Sequence, residues 1–117
     1  MGYAFAGVAP EIMGVGPVPA VNNLLAKTGV NKNDIDVWEI NEAFASQALA
    51  VCRDLDLDMS KVNPNGSGIS LGHPIGATGA LISVKAIYEL QRIQGKYAVV
   101  TMCIGGGQGI AALIERC

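Results

Sequence analysis

Apolar residues in this chain fall in short alternating runs that switch to helical spacing and back, with glycine and proline at the switches. Tyr3 to Val8 is short, apolar and aromatic, and predicts a strand. A turn rich in Gly and Pro spans 9–16. Pro17 and Pro19 suit a helix start, because the first turn needs no N–H donors. Val18, Val21, Leu24 and Leu25 continue at helical spacing, and Gly29 is a fitting stop. Residues 36–40 predict a short buried strand. A helix follows, with Asn41 read as its N-cap, Glu42 in its first turn, and Ala43, Phe44, Gln47, Ala48 and Val51 on one face. Asp54 to Asp58 closes that helix in acidic residues.

Lys61 to Asn63 is a weaker strand candidate, and 63–74 reads as loop. A third helix is predicted from about Gly76 to Gln94, with Lys85, Glu89 and Arg92 as a narrow polar stripe. Ala80, Leu81, Val84, Ile87 and Leu90 cover much of the rest, a width that implies a largely buried helix. Residues 97–102 and 109–114 are β-rich and joined by glycines, which predicts a terminal hairpin. The expected architecture is one α/β domain over residues 1–117. Its order is βαβαβαββ, with a five-stranded mixed sheet and helices on its faces. The first four strands should run parallel and the last antiparallel to its neighbour.

Composition narrows the classes. A chain of 117 residues fits one domain with a real core. Half its residues are hydrophobic, yet no stretch approaches the ~20 apolar residues of a membrane span. A net charge of −2 without a basic stripe argues against nucleic acid as a partner. Cys52, Cys103 and Cys117 are odd in number and widely spaced, which speaks against a disulfide framework and a metal site. The start, Met1-Gly2-Tyr3-Ala4-Phe5, lacks the regions of a signal peptide. The expectation is an intracellular chain: cytoplasmic, or mitochondrial or peroxisomal in a eukaryote. Met1 stands close to the first strand, as it would in a trimmed domain or a truncated reading frame.

The candidate chemistry lies on three loops. Strand-to-helix loops gather at the carboxyl ends of parallel strands, where α/β sites form. His73, the sole histidine, lies in Leu71-Gly72-His73-Pro74-Ile75-Gly76-Ala77-Thr78-Gly79. Pro74 biases it toward extended backbone, and the next helix turns its positive end to this region, which favours the neutral ring. It is either a structural loop histidine or a proton-transfer group. Cys103 opens Cys103-Ile104-Gly105-Gly106-Gly107-Gln108-Gly109. It is either a small core hydrophobe or a thiol tuned for proton transfer. The glycine run after it is a bare hairpin turn, or aims N–H groups at an oxyanion. A phosphate-binding loop is a weak alternative, since the run lacks the lysine and opens no helix. Asn41 is a cap or an amide that fixes a water or a substrate oxygen. Glu42 is a dipole partner or a general base.

Together these loops resemble the C-terminal half of a thiolase. Asn41-Glu42-Ala43-Phe44-Ala45 is similar to the family's NEAF motif. Residues 65–79 resemble its histidine loop, NGGxxxxGHPxGxxG, and Cys103-Ile104-Gly105-Gly106-Gly107 resembles CxGGG. Residues 14–20, Gly14-Val15-Gly16-Pro17-Val18-Pro19-Ala20, match the first helix entry. Four motifs in this order are highly specific, and the resemblance covers essentially the whole chain. The visible departure is Ser67, where the family commonly has glycine.

The resemblance implies Claisen condensation and thiolysis of 3-oxoacyl-CoA. His73 would activate a nucleophilic cysteine and help hold a thioester oxygen. Asn41 would position a water in that oxyanion hole. Cys103 would move the α-proton of acetyl-CoA, and the N–H of Gly105 would bind the acyl-enzyme oxyanion. Met13, Ala43 and Phe44 would line the pantetheine and acyl pocket. Coenzyme A esters would be substrates, with no permanently bound cofactor. The family's nucleophilic cysteine lies in its N-terminal half, which Cys52 and Cys117 do not match, so this chain should be inactive alone. An N-terminal thiolase domain or subunit is the implied partner, within a homo-oligomer. The alternatives are an orphan domain acting only in assembly or acyl-CoA binding, a ketoacyl synthase, and, distantly, a nucleotide-binding domain. Ketoacyl synthases pair two histidines with their cysteine, and this chain has one.

Overall fold

The computed structural model describes residues 2–117, so Met1 lies outside the described residues. The elements run β1 (Gly2–Gly7), α1 (Pro17–Thr28), β2 (Ile35–Ile40), α2 (Ala45–Asp54), a single-turn α3 (Gly68–Leu71), α4 (Thr78–Ile93), β3 (Tyr97–Ile104) and β4 (Gln108–Glu115). Short 3-10 turns sit at Pro10–Val15, Lys32–Asp34 and Met59–Lys61. The sheet order is β1-β4-β3-β2. β4 is antiparallel to both of its neighbours, while β2 and β3 pair in parallel. β1, β2 and β3 therefore point the same way, as the strand–helix alternation implies.

Helices cover both faces. On one, Val21 and Leu24 of α1 and Val51 of α2 pack with Trp38, Ile40 and Val99. On the other, Ile82, Ala86 and Leu90 of α4 pack with Val37, Ala98 and Val100. Each Val, Leu or Ile among them, fully buried, contributes roughly 1.5–3 kcal/mol.

The fold corrects the expected strand count: the sheet has four strands among the described residues. The fifth candidate, 61–63, makes one isolated parallel bridge, Trp38 to Val62. Asn63 N–H then donates to the Trp38 carbonyl (2.8 Å), and the backbone turns away with Asn63 at φ 47. From there the Asn63 side chain takes over the strand's task. Its Oδ1 accepts the Ile40 N–H (2.8 Å), and its Nδ2 donates to the Ile40 carbonyl (3.0 Å). A side-chain amide carries the same donor and acceptor as a peptide group, so it can close a strand edge that no backbone reaches.

The orientation of α4 is a second difference. Two of the three residues of its expected polar stripe, Lys85 and Glu89, turn inward, and only Arg92 stays outside. Glu89 is buried and the Lys85 side chain is 14% exposed, whereas Val84 is 51% and Tyr88 68% exposed. Periodicity gave a wide apolar surface but not which part of it this chain covers. The cause is Glu39, which points from β2 toward α4 and draws the Lys85 ammonium inward at 2.6 Å.

Asn63→Ala should lower the unfolding free energy by about 1–3 kcal/mol, because it leaves the Ile40 N–H without its partner and the Ile40 carbonyl with the Ser67 hydroxyl alone. Urea denaturation measures this. A loss below about 0.5 kcal/mol, the range of an ordinary surface change, would show that the amide does not hold the edge.

Candidate functional site

Two strand ends and one loop meet at the carboxyl edge of the sheet. Asn41 directly follows β2, and its N–H still donates to the Thr101 carbonyl (3.0 Å). The backbone therefore continues beside β3 instead of turning into a helix. The expected N-cap role of Asn41 is overturned for that reason: α2 begins four residues later, after an extended Phe44 (φ −145, ψ 146). Asn41 is instead buried, with its Nδ2 3.4 Å from His73 Nε2. Its Oδ1 is buried and has no hydrogen-bond partner among the described residues.

His73 is half-buried. Its Nδ1 lies 2.7 Å from the Thr78 hydroxyl oxygen, and that hydroxyl donates to the Pro74 carbonyl at 3.0 Å. Thr78 is itself buried in the first turn of α4. The ring is thus held from both nitrogens, by β2's end on one side and by α4's start on the other.

The loop that carries His73 is fastened along its length. Asn65 Nδ2 donates to Glu89 Oε2 (2.8 Å). Lys85 Nζ, besides pairing with Glu39, donates to the Gly66 carbonyl. Ser67 is buried, and its hydroxyl donates to the Ile40 carbonyl (3.0 Å). The departure at Ser67 thus adds a tie that glycine could not make. Glu42 has neither the dipole role nor a place in the helix. Its carboxylate accepts the Ile69 N–H (3.0 Å) and the Asn63 Nδ2 (3.2 Å), bracing the same loop.

These carboxylates differ in electrostatics. Burial pushes the Glu39 carboxyl up, opposed by its hydrogen bond to Lys85. Glu89 is held down to about 2, first by its hydrogen bond to Arg92 and then by that to Asn65.

Cys103 lies next to the end of β3 and is 8% exposed. Strand alternation puts it on the face of Val99, the side where α1 and α2 pack. Opposite it in β4 stands Gly109. A Cβ at Gly109 would lie 2.1 Å from the Gly16 carbonyl oxygen, so only glycine admits that backbone. The 3-10 turn bearing Met13 packs against β3, β4 and α2 at this end. Gly105 to Gly107 form the turn between β3 and β4. Gly107 has φ 88, and its carbonyl accepts the Val8 N–H (2.7 Å).

The sequence-predicted residues therefore share one edge. Asn41 and His73 touch; Cys103 is the next-to-last residue of the neighbouring strand, with Gly105 two residues on. Ala43 is half-buried and Phe44 61% exposed on the lead into α2. Sequence reasoning missed Thr78, Asn63 and the Glu39–Lys85 pair. A hydroxyl in the first turn of a helix, five residues after the histidine, was the available signal for Thr78. It also missed Gln47, which buries both amide atoms without partners among the described residues. Among those residues no cluster of His, Cys, Asp and Glu could hold a metal, and no helix is long and apolar enough to cross a membrane.

Burial pushes the Cys103 thiol above its ordinary range. Burial also raises Cys52, with a further contribution from Glu42. Only the thiolate alkylates, so a raised pKa leaves less reactive sulfur at neutral pH. Iodoacetamide at pH ~7 should modify exposed Cys117 well before Cys103 or Cys52, read by peptide mass spectrometry. Cys103 modification should climb only as pH passes the ordinary thiol value of ~8.5. Equal rates for Cys103 and Cys117 at neutral pH would contradict this environment.

Comparison with known proteins bears on what this edge is. A family model described as the C-terminal domain of thiolase matches residues 1–116. The chain is 68% identical over 114 residues to the beta-ketothiolase BktB of Cupriavidus necator, covering 97% of the chain and 29% of that relative. It is 55% identical over 115 residues to the human mitochondrial 3-ketoacyl-CoA thiolase, covering 98% of the chain and 29% of that protein. The crystal structure of the human enzyme in complex with CoA superposes with a TM-score of 0.98 at 54% identity, over 100% of this chain and 30% of that one. The acetyl-CoA acetyltransferase of Bacillus anthracis gives a TM-score of 0.96 at 54% identity, over 97% of this chain and 29% of its own. The chain thus spans about 29% of the length of these curated relatives. With the family model covering all but its last residue, the chain belongs to the thiolase family, as a thiolase C-terminal domain.

Proposed function

We propose that this chain is the C-terminal catalytic half of an acyl-CoA C-acyltransferase, working by condensation and thiolysis of 3-oxoacyl-CoA. The observation that carries the reading is the seating of His73 against Asn41 at the carboxyl end of β2, with Cys103 next to the end of the strand alongside. Coenzyme A thioesters are its substrates. The nucleophilic thiol comes from the N-terminal half, and the complete enzyme is a homo-oligomer.

The chemistry follows from these groups. In condensation the Cys103 thiolate takes a proton from the methyl carbon next to the thioester carbonyl. The resulting carbanion is spread onto the thioester oxygen, where His73 and an Asn41-held water donate hydrogen bonds. The carbon attacks the acyl group on the nucleophilic cysteine; the new C–C bond forms as the C–S bond breaks, and that sulfur leaves as thiolate. Gly105 N–H steadies the oxyanion of this step. Thiolysis runs the same path backward, and Cys103 then returns the proton to carbon. The raised thiol of Cys103 suits that direction, since it rests protonated at neutral pH. The partnerless Oδ1 of Asn41 supports the water, as a buried acceptor without a partner invites a donor.

The need for a second half has its own support. Val84 and Tyr88 on α4 are exposed, as are Tyr3 and Phe5 on β1, whose rings stack edge to face at 5.7 Å. A helix that turns Lys85 and Glu89 inward and exposes Val84 and Tyr88 is built to be covered. The remainder of a full-length thiolase is the cover this reading requires.

Acetoacetyl-CoA thiolysis by the 117-residue chain alone should stay at background. Replacing the matching segment of the Cupriavidus necator relative with this chain should give an active enzyme. Cys103→Ala in that chimera should cut kcat by about 100-fold or more, the scale of a lost general acid–base group. Turnover by the isolated chain, or near-normal rates without Cys103, would sink the reading. CoA-ester binding by a chimera that never turns over would favour a binding or assembly module instead.

A further inference from the structure

We infer that Thr78 is a positioning residue that fixes the tautomer of His73, keeping the ring proton on Nδ1 and the lone pair on Nε2. The inference rests on the proposed reading for its kinetic consequence, but its structural content stands apart from it.

The Thr78 hydroxyl has one proton and two neighbours able to accept it: the Pro74 carbonyl at 3.0 Å, which also takes the Ala77 and Thr78 N–H groups at 2.7 and 2.9 Å, and His73 Nδ1 at 2.7 Å. Threonine in a helix commonly gives its proton to the carbonyl four residues back, and Pro74 is that residue. The hydroxyl oxygen then has only lone pairs to offer His73, so Nδ1 must carry the hydrogen. The opposite side of the ring gives the same answer independently. Asn41 presents its Nδ2, a donor, to His73 Nε2 at 3.4 Å, which requires a lone pair there. Two neighbours from different elements, α4 and the end of β2, thus select one tautomer.

The consequence lies in the proton path. With Nδ1–H committed to Thr78, Nε2 is the only ring atom that can take a proton from a thiol and later donate to a thioester oxygen. A ring with the proton on Nε2 would begin the cycle unable to accept one. Thr78 is buried in the first turn of α4, so helix geometry fixes where its oxygen stands. It touches no reacting atom and acts through His73.

His73 is the only histidine in the chain, so its ring gives a single set of signals. Long-range ¹H–¹⁵N spectra of the ¹⁵N-labelled 117-residue chain, taken well above the ordinary imidazole pKa of ~6.5, report which nitrogen is bare. The expected result is a bare Nε2 in the unaltered chain and in Thr78→Ser. Thr78→Val should shift the ring toward Nε2–H, the form histidine prefers in water. A bare Nδ1 in the unaltered chain, or the same tautomer with and without the hydroxyl, would overturn the inference. The second measurement uses the full-length chimera, where Thr78→Val should lower kcat about 10–100-fold with KM held within about twofold, and Thr78→Ser should recover most of the loss. Unchanged kcat in Thr78→Val would equally overturn it. An inactive chimera paired with the expected spectra would instead count against the proposed function alone.

Discussion

The side-chain amide of Asn63 pairing with both backbone groups of Ile40 is the constraint on which the site depends. β2 is an edge strand, and its last residue meets a side chain rather than a backbone on its outer side. Asn63 closes that edge and starts the loop that carries His73. The Ile40 carbonyl also accepts the Ser67 hydroxyl, so one peptide group holds the loop at two points. Immediately beyond Ile40 the chain presents Asn41, and the loop delivers His73 to it. Loss of the Asn63 pairing would leave the Ser67 hydroxyl as the loop's remaining tie to the Ile40 carbonyl.

Charge reinforces the same arrangement from the α4 side. Lys85 bridges Glu39 of β2 and the Gly66 carbonyl of the loop, while Glu89 holds Asn65. Breaking a buried pair by removing one partner leaves an uncompensated charge, so Lys85 and Glu39 must be kept or lost together. The two carboxylates respond oppositely to acid. The Glu89 pKa is depressed in the fold, so its stabilising contribution is full above the usual carboxylate range and fades as pH falls toward about 2. Glu39 has a raised pKa, so its own contribution is greatest when protonated and declines as pH rises through that value.

Much of this was legible in the sequence. The strand and helix order, the direction of the last strand and the gathering of Asn41, His73 and Cys103 at one edge follow from the spacing of apolar runs and glycine-rich turns. Three things did not. The fifth strand fails because a single asparagine can imitate a peptide group, and residue patterns at 61–63 do not distinguish that from a strand. Asn41 has the composition of a cap, but its N–H is claimed by Thr101, a partner 60 residues away. The inward turn of Lys85 depends on Glu39, 46 residues earlier. Long-range pairing of polar groups, rather than periodicity, decided each case.

In the proposed reaction Cys103 moves the α-proton while a different sulfur carries the acyl group. Hydrogen–deuterium exchange at the methyl group of acetyl-CoA, catalysed by the full-length chimera in D₂O, tests it most directly. Exchange is expected with Cys103 intact. With Cys103→Ala exchange should be lost while acetyl transfer from acetyl-CoA to the nucleophilic cysteine persists. Exchange that survives Cys103→Ala, or acetyl transfer that disappears with it, would contradict the assignment.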